Sequence, residues 1–435
     1  MIDPKLIRES PDAVRNAMFA RGVDVDVNEL NRMDGQWRHV LQEIEDARAE
    51  QNKASADPSA KENRENLKDL KHRIKSREMR LQELELLLHN AIAALPNIPL
   101  PDTPVGAGSA ANVVEREWGA KPSFGFTPKH YLEIAEPSGA IDMESGAKVS
   151  GARFGYLTGW AALLEFALIQ YAVSRLTDES FIADVAAKAG LDVPARPFIP
   201  VIPPVMVRKE MMNAMGFSER IGTSPGNDEM YWLDKDELYL VGTSEQSIGP
   251  MHYDTIVEAA RLPLRYVGFS TCFRREAGAA GKDTRGILRV HQFDKLEMFT
   301  VCEPGASEAE HRFLLACQEA LVQGLGLHYR VLRLCTGDLG AAAAATFDIE
   351  TWMPGQNEYR ETHSTSNTTD YQSRSLKSRY RIGEKQTELT HMLNGTAFAL
   401  GRMIIAVVEN CQTEKGTVAV PEALKPFLGG RSELA

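Results

Sequence analysis

"CFRREAGAAGKDTRGILRVHQFDKLE", residues 272–297, reads as two strands joined by a Gly-rich loop, with charges where a buried strand would carry apolar side chains. Side chains alternate across a strand, so Arg274 and Glu276 are expected on one face and Arg275 on the other. On the return strand Arg289, His291, Phe293, Lys295 and Glu297 share a face, so one sheet surface is expected to carry Arg274, Glu276, Phe293 and Glu297 together. Such a surface is costly to bury unless a ligand pairs its charges. Arg274 suits an anion, Phe293 a flat ring, and either carboxylate a hydrogen-bond donor; a nucleotide together with an ammonium-bearing molecule supplies all of these. The same alternation also suits a solvated strand face with internal ion pairs. The loop "AGAAGKDTRG" (277–286) is too long for a two-residue turn. Its glycines with Lys282 and Arg285 make it a mobile cationic segment suited to a polyanion, or simply a solvated long loop.

Around this hairpin lie other short β-branched and aromatic runs: "FIPVIPPVMV", "MYWL", "LYLVGT", "LRYVGFSTCF" and "KLEMFTV". Helical patterns intervene at 162–176 and 307–325. Many strands in succession with few helices between them predict an α+β fold with a mixed, mainly antiparallel sheet flanked by helices. No Gly-rich Rossmann turn or P-loop favours a parallel doubly wound sheet, and no internal repeat is visible.

The first hundred residues read differently. Leu30, Met33, Trp37, Val40, Ile44 and Ala47 fall at alternating steps of three and four, a heptad seam. "SADPSAKEN" (55–63) interrupts with a proline, and a second seam follows at Leu67, Leu70, Ile74, Leu81, Leu84, Leu88 and Ala91, with Arg77 where an apolar residue is due. Two such seams predict an antiparallel coiled-coil hairpin over about 28–95, each arm roughly 40 Å long. It is too thin for a pocket, so it is a spacer, a docking arm or an oligomer contact. "LPNIPLPDTPVGAGSAAN" (95–112) is the expected linker, giving domains at 1–110 and 111–435.

The 435 residues exceed one ordinary core, and 43% apolar with 25% charged residues is a globular composition. A net charge of −11 argues against non-specific coating of nucleic acid but leaves room for a local basic surface. Five scattered cysteines without a Cys-x-x-Cys pair argue against a structural zinc site and fit a reducing cytosol. The charged, proline-bearing start "MIDPKLIRES" does not resemble a signal peptide, and no run of 18 apolar residues occurs, so a cytoplasmic protein with no membrane contact is expected.

The hairpin resembles motif 2 of the class II aminoacyl-tRNA synthetases in its seryl-tRNA synthetase form, bacterial-type without the zinc site. "FIPVIPPVMVRKEMM" (198–212) resembles motif 1, a strand at the dimer interface in this family, and "VGTSEQ" (241–246) the serine-binding Thr-x-Glu segment. "LCTGDLG" (334–340), "DIETWMPGQNEYRE" (348–361) and "STSN" (364–367) are family-like landmarks, and residues 391–411 resemble motif 3. The resemblance runs over essentially the full chain in the expected order. It implies a homodimer that uses ATP and Mg²⁺ to convert L-serine to seryl-adenylate and pyrophosphate. The seryl group would then pass to the 3′ end of tRNA(Ser), and of tRNA(Sec) where present. By this resemblance Arg274 contacts both the serine carboxylate and the α-phosphate, and Arg402 lies opposite the γ-phosphate. Glu276 lies near the adenine edge and Phe293 under its ring, with Arg275 and Val290 in the same ATP-binding stretch. Glu361, Thr362, His363 and Ser364 surround ATP, with Glu361 and Ser364 on Mg²⁺. Serine selection is implied for Thr243, Ser244, Glu245, Arg274, Glu297 and Thr396. The arm and the motif 2 loop would meet tRNA, with Lys53, Lys61, Lys68, Lys71, Arg73 and Lys75 available to phosphate.

The sequence departs from the family pattern at Ser244, where alanine is usual, and at His363, where serine is expected. The arm is also somewhat short. Two other functions remain open: a relative that loads an amino acid onto a carrier protein, and an inactive synthetase-like scaffold. A duplicate copy resistant to a serine-analogue antibiotic also fits.

Overall fold

The structure, a computed structural model, describes residues 1–56, 64–217, 229–277, 283 and 285–435. The breaker around Pro58, Lys61 of the arm, and Lys282 with most of the motif 2 loop lie outside the described residues. Contacts divide the chain into two units, Met1–Ile98 and Pro99–Ala435. Residues 99–110, expected with the first domain, belong to the second unit. Leu100 N–H donates to the Ala344 carbonyl at 2.9 Å and Thr336 N–H to the Pro104 carbonyl at 2.8 Å. Backbone groups that find partners hold a proline-rich segment down as firmly as side chains would.

The first unit contains α1 (Pro4–Glu9), α2 (Pro11–Ala20), α3 (Val27–Ala56) and α4 (Arg64–Ala93). At 30 residues each, α3 and α4 span about 45 Å. They are antiparallel, since Glu43 meets Arg77 at 3.1 Å, Arg48 meets Glu78 at 2.7 Å and Glu50 meets Arg73 at 3.8 Å. Leu30, Val40, Ile44, Ala47, Leu70, Ile74, Leu84 and Leu88 are buried as the heptads predict. At the end of the second seam Ile92 is buried and Ala91 only half-buried. Arg77, the break in the seam, turns its charge to Glu43 of the facing helix. Asp34 is buried without a heptad reason: it accepts from Arg8 of α1 at 2.9 Å and pairs with Arg38 at 2.8 Å, fastening α1 to α3.

The second unit is built on eight strands: β1 (Val113–Trp118), β2 (Ile199–Val201), β3 (Leu264–Phe273), β4 (Gln292–Cys302), β5 (Tyr329–Arg333), β6 (Ala345–Met353), β7 (Glu358–Asn367) and β8 (His391–Ala399). Their order in the sheet is β1-β5-β6-β7-β8-β4-β3-β2. Every adjacent pair is antiparallel except β2–β3, so the sheet is mixed and mainly antiparallel, as the strand succession predicts. Helices α5 (Gly159–Leu176), α6 (Glu179–Lys188), α7 (Ser307–Gly324) and α8 (Leu400–Asn410) flank it. The main core joins Leu164 and Leu168 of α5, Phe313 and Leu314 of α7 and Met403 and Ile404 of α8 to Leu296, Met298, Ile349 and Phe398 of the sheet.

Two elements differ from expectation. The stretch 198–212 is not one strand but β2, a separate short strand Met206–Arg208 and a helix Lys209–Ala214. Pro203 and Pro204 lack the N–H a continuous ladder needs. The return strand of the hairpin starts at Gln292, so "ILRVH" (287–291) approaches it as irregular chain. Among the described residues no helix is long and apolar enough to cross a membrane.

Candidate active site

On β4 the side chains alternate cleanly: Leu296 and Met298 enter the core, while Phe293, Lys295 and Glu297 line a cleft of about 360 Å³. The same cleft is lined by Thr243, Glu245, Arg274, Glu276, Val290, Glu361, Thr362, Ser364, Thr396 and Arg402. The guanidinium, the phenyl ring and the acidic groups expected on one surface are therefore brought together, but not by simple alternation. Strand β3 ends at Phe273, so Arg274 and Glu276 lie beyond it on turning backbone. Arg274 N–H donates to His291 O at 2.9 Å, and its Nε donates to Gly242 O at 3.1 Å, which sets the guanidinium 5.2 Å from the centre of the Phe293 ring. Glu276 adopts φ 49°, a strained left-handed conformation for a side-chain-bearing residue, and its carboxylate is held by Arg289 at 2.5 Å. Arg275 points elsewhere, with Nε on Met230 O at 3.0 Å and its guanidinium 4.9 Å from the Tyr231 ring centre.

The Thr-x-Glu segment is not an extended strand. Thr243 and Ser244 form a turn into the short helix Glu245–Ile248, which lies over the sheet opposite Glu297. Gly268, the β3 partner of Glu297, makes this approach possible. A Cβ there would stand 2.5 Å from Ile248 Cδ1 and 2.8 Å from Ser244 Oγ. The turn sends Thr243 and Glu245 into the cleft, whereas Ser244 is fully buried with its hydroxyl on Gly268 O at 3.4 Å. Glu245 Oε1 accepts from Gln372 Nε2 at 2.7 Å and Asn394 Nδ2 at 3.1 Å. Lys295 Nζ lies 2.5 Å from Glu297 Oε2 and donates to Thr243 Oγ1 at 3.4 Å. Thr396 is the cross-strand partner of Glu297, placed there by a bulge in β8 that leaves Ala397 unpaired. Burial, then repulsion from Glu297, pushes the Glu245 carboxyl up to about 7. Burial also raises Glu297, against the pull of Lys295.

The opposite lip comes from β7. A bulge leaves Thr362 unpaired between Glu361, which faces Glu350 of β6, and His363, which faces Ile349. Glu361 and Ser364 line the cleft, and Arg402 from α8 donates to Glu361 Oε1 and O, both at 2.9 Å. The His363 ring turns away from the cleft into the core: Nδ1 pairs with Thr362 Oγ1 at 2.8 Å and the ring stands edge-on to Phe398. Burial holds it neutral, with its pKa pushed down to about 3. Only its backbone is left for the nucleotide contact the sequence suggested. The Thr362 hydroxyl is likewise turned inward, onto Thr351 Oγ1 at 2.8 Å. Behind Ser364 lies Asp348, whose Oδ1 is buried with no hydrogen-bond partner among the described residues. Burial, then the negative charge of Glu361, raises its carboxyl well above the usual carboxylate range.

Sequence reasoning gave no role to Lys295, Arg289, Asp348, Gln372 or Asn394. Period-two alternation from Glu297 back along β4 points to Lys295. Gln372 and Asn394 reach Glu245 from elements remote in sequence, and no local pattern marks them.

Two family models match the chain: the seryl-tRNA synthetase N-terminal domain over residues 1–99, and the tRNA synthetase class II core domain (G, H, P, S and T) over residues 231–411. The serine–tRNA ligase of Clavibacter michiganensis subsp. michiganensis is 45% identical, covering 99% of this chain and 97% of its own length. That of Thermobifida fusca is 44% identical over 99% of this chain and 98% of its own. Among solved structures, seryl-tRNA synthetase from Pyrococcus horikoshii complexed with ATP superimposes with a TM-score of 0.86 at 36% identity, covering 100% of this chain and 99% of its own. The cytoplasmic enzyme of Naegleria fowleri in complex with AMP gives 0.83 at 32% identity, covering 100% and 98%.

Proposed function

Because the chain belongs to the seryl-tRNA synthetase family of class II aminoacyl-tRNA synthetases, we propose that its cleft joins serine to ATP and then to tRNA. The activity is that of a serine–tRNA ligase. In the first step a serine carboxylate oxygen attacks the α-phosphorus, the bond to the departing pyrophosphate breaks, and seryl-adenylate forms. In the second a hydroxyl of the terminal adenosine of tRNA(Ser) attacks the seryl carbonyl, and AMP leaves.

Both reactants of the first step are anions, so the barrier lies in bringing them together. Arg274 is the residue for this: a planar guanidinium donates to phosphate and carboxylate at once, which a lysine ammonium does less well. The observation that carries the reading is the convergence of Arg274, Phe293 and Glu297 on one cleft, with Arg402 across from them. Phe293 stacks the adenine, Glu276 meets its edge and Arg402 takes the γ-phosphate. The serine ammonium goes to Thr243 and Glu245, and the hydroxyl to Glu297 helped by Thr396. An amino acid without the hydroxyl leaves the buried Glu297 short of a partner, which discriminates by roughly 10⁴-fold. Glu361, Ser364 and the Asp348 carboxyl, one oxygen of which has no hydrogen-bond partner among the described residues, fit a Mg²⁺ ion carried in with ATP. When bound, that ion draws charge from the triphosphate.

The arm presents Lys53, Lys68, Lys71, Arg73 and Lys75 to solvent, which supports an RNA-phosphate role for it. A homodimer through the 198–212 segment is supported by exposed apolar side chains there, Ile202 at 87% and Ile199 and Met206 near half. Ile202→Asp should give monomers by light scattering at micromolar concentration; an unchanged dimer would place the interface elsewhere. Free, mostly buried cysteines fit a cytoplasmic setting.

The deciding experiment is pyrophosphate exchange into ATP across the twenty amino acids, followed by tRNA charging. Exchange should depend on L-serine, and deleting residues 30–93 should leave it largely intact while abolishing charging. Exchange without charging by the full chain would favour carrier-protein loading, and neither activity would favour a scaffold.

A further inference from the structure

The sheet forks beneath the cleft. Strands β7 and β8 pair only at Thr365↔Gly395, Ser366↔Asn394 and Asn367↔Leu393. Beyond that level both continue, but β7 stays with β6 as far as Glu358 and β8 stays with β4 as far as Ala399. Ser364 and Thr396, the next residues along each strand, have no ladder bond to one another. They sit on the two lips of the cleft, Ser364 beside the expected phosphate and metal groups and Thr396 opposite Glu297.

Gln318 of α7 occupies the crotch of this fork. Its side chain is fully buried, and its Nε2 donates to Ser364 O at 2.9 Å and to Thr396 O at 2.8 Å. One amide thus supplies a hydrogen bond to each strand where they part. The arrangement is specific in three ways. Gly395 leaves the room it needs, since a Cβ there would lie 3.3 Å from Gln318 Nε2 and 2.9 Å from Thr365 Oγ1. The orientation is dictated, because exchanging nitrogen and oxygen would set an acceptor against two carbonyls. Gln318 Oε1 is also buried with no hydrogen-bond partner among the described residues. An orphaned acceptor opposes folding, so the two bonds from Nε2 to Ser364 O and Thr396 O are what hold this amide in the fork. His311, two turns earlier on α7, bonds Thr365 O at 2.9 Å inside the paired region, so the helix is anchored on both sides of the branch point.

We propose that Gln318 is a positioning residue that fixes the distance between the two lips, and so between the serine carboxylate and the ATP α-phosphate. The inference rests on the function proposed above, which puts the amino acid and the adenine ring on the β4–β8 lip and the triphosphate, beside Glu361 and Ser364, on the β7 lip. Gln318 touches neither substrate; it acts through the backbones of Ser364 and Thr396. A shift of about an ångström between reacting atoms lowers a rate by roughly 100-fold while leaving the separate binding contacts in place.

The test compares wild type with Gln318→Met, which keeps the length and removes the donors, and Gln318→Glu, which keeps the shape. In serine-dependent pyrophosphate exchange, Gln318→Met should lose about 10- to 100-fold in kcat with the KM of serine and of ATP each within about threefold. Gln318→Glu should also be slow at pH 8. Its rate relative to wild type should recover as pH falls, because a protonated carboxyl regains one donor. Melting curves on the same samples establish that the variants are folded at the assay temperature. A folded Gln318→Met with wild-type kcat would overturn the proposal, as would a loss confined to KM or a Gln318→Glu ratio that stays flat with pH. Failure of the wild-type protein to exchange with serine would instead overturn the proposed function.

Discussion

Two ion pairs, one on the arm and one in the cleft, show how differently this chain uses charge. Arg77 and Glu43 join the two long helices at 3.1 Å with half and a third of their side chains in water. Lys295 and Glu297 meet at 2.5 Å with a tenth or less exposed. The exposed pair is screened and loses little when broken. The buried pair has been stripped of water, and its neighbours Glu245 and Arg274 bring one further charge of each sign into the same cleft. The first pair costs little to keep, whereas the second carries a desolvation cost that its own attraction does not reliably repay. A cleft of this kind is a frame whose charges are completed by ligands.

The comparison breaks first at Arg274. Arg274→Ala should reduce serine-dependent exchange by about 10³-fold or more while leaving the melting temperature nearly unchanged. A variant within tenfold of wild type would show that the charges of the cleft are structural, like those of the arm.

A smaller effect follows from pH. The Glu245 carboxyl is held above its ordinary 4.5, at about 7, by burial and then by Glu297. A carboxyl raised in the folded state favours folding when protonated. That contribution is complete below about pH 4.5 and is lost as pH climbs through 7. The ammonium of serine pairs only with the ionised form, so its binding should strengthen over the same range. The KM for serine should fall roughly tenfold between pH 6 and pH 8, and serine should raise the melting temperature more at pH 8 than at pH 6. A KM that is flat with pH would mean that the ammonium does not meet this carboxylate.

The smallest effect belongs to the arm. Arg77→Ala should change the unfolding free energy by less than about 1 kcal/mol, read by urea denaturation, with exchange unaffected. A larger loss would mean that the exposed pair is coupled to the seam beneath it.

Much of this was legible in the sequence because the signals were local. Heptad spacing located Ile44, Leu70 and Leu84 in the arm, and period-two alternation put Phe293 and Glu297 on one face. Ordered motifs pointed to Arg274 and to Arg402, although Arg402 taken with its neighbours alone reads as a surface arginine. Alternation failed where the strands stopped. Arg274 and Glu276 share the cleft through a turn at positive φ, and Thr243 and Glu245 through the start of a helix. His363 looked like a nucleotide contact, yet the bulge at Thr362 turns its ring into the core.

The amino-acid sequence by itself determined the two-part organisation, the helical arm, the strand-rich second unit and the residue types available for chemistry, since these depend on neighbours a few positions apart. Only the tertiary structure decided which charges lose their water and which strands part. Gln372 and Asn394 converge on Glu245 from 127 and 149 residues away, and Gln318 enters the fork 46 residues from Ser364 and 78 from Thr396. Burial and the closing of such distances are properties of the packed chain, and short-range periodicity carries no trace of them.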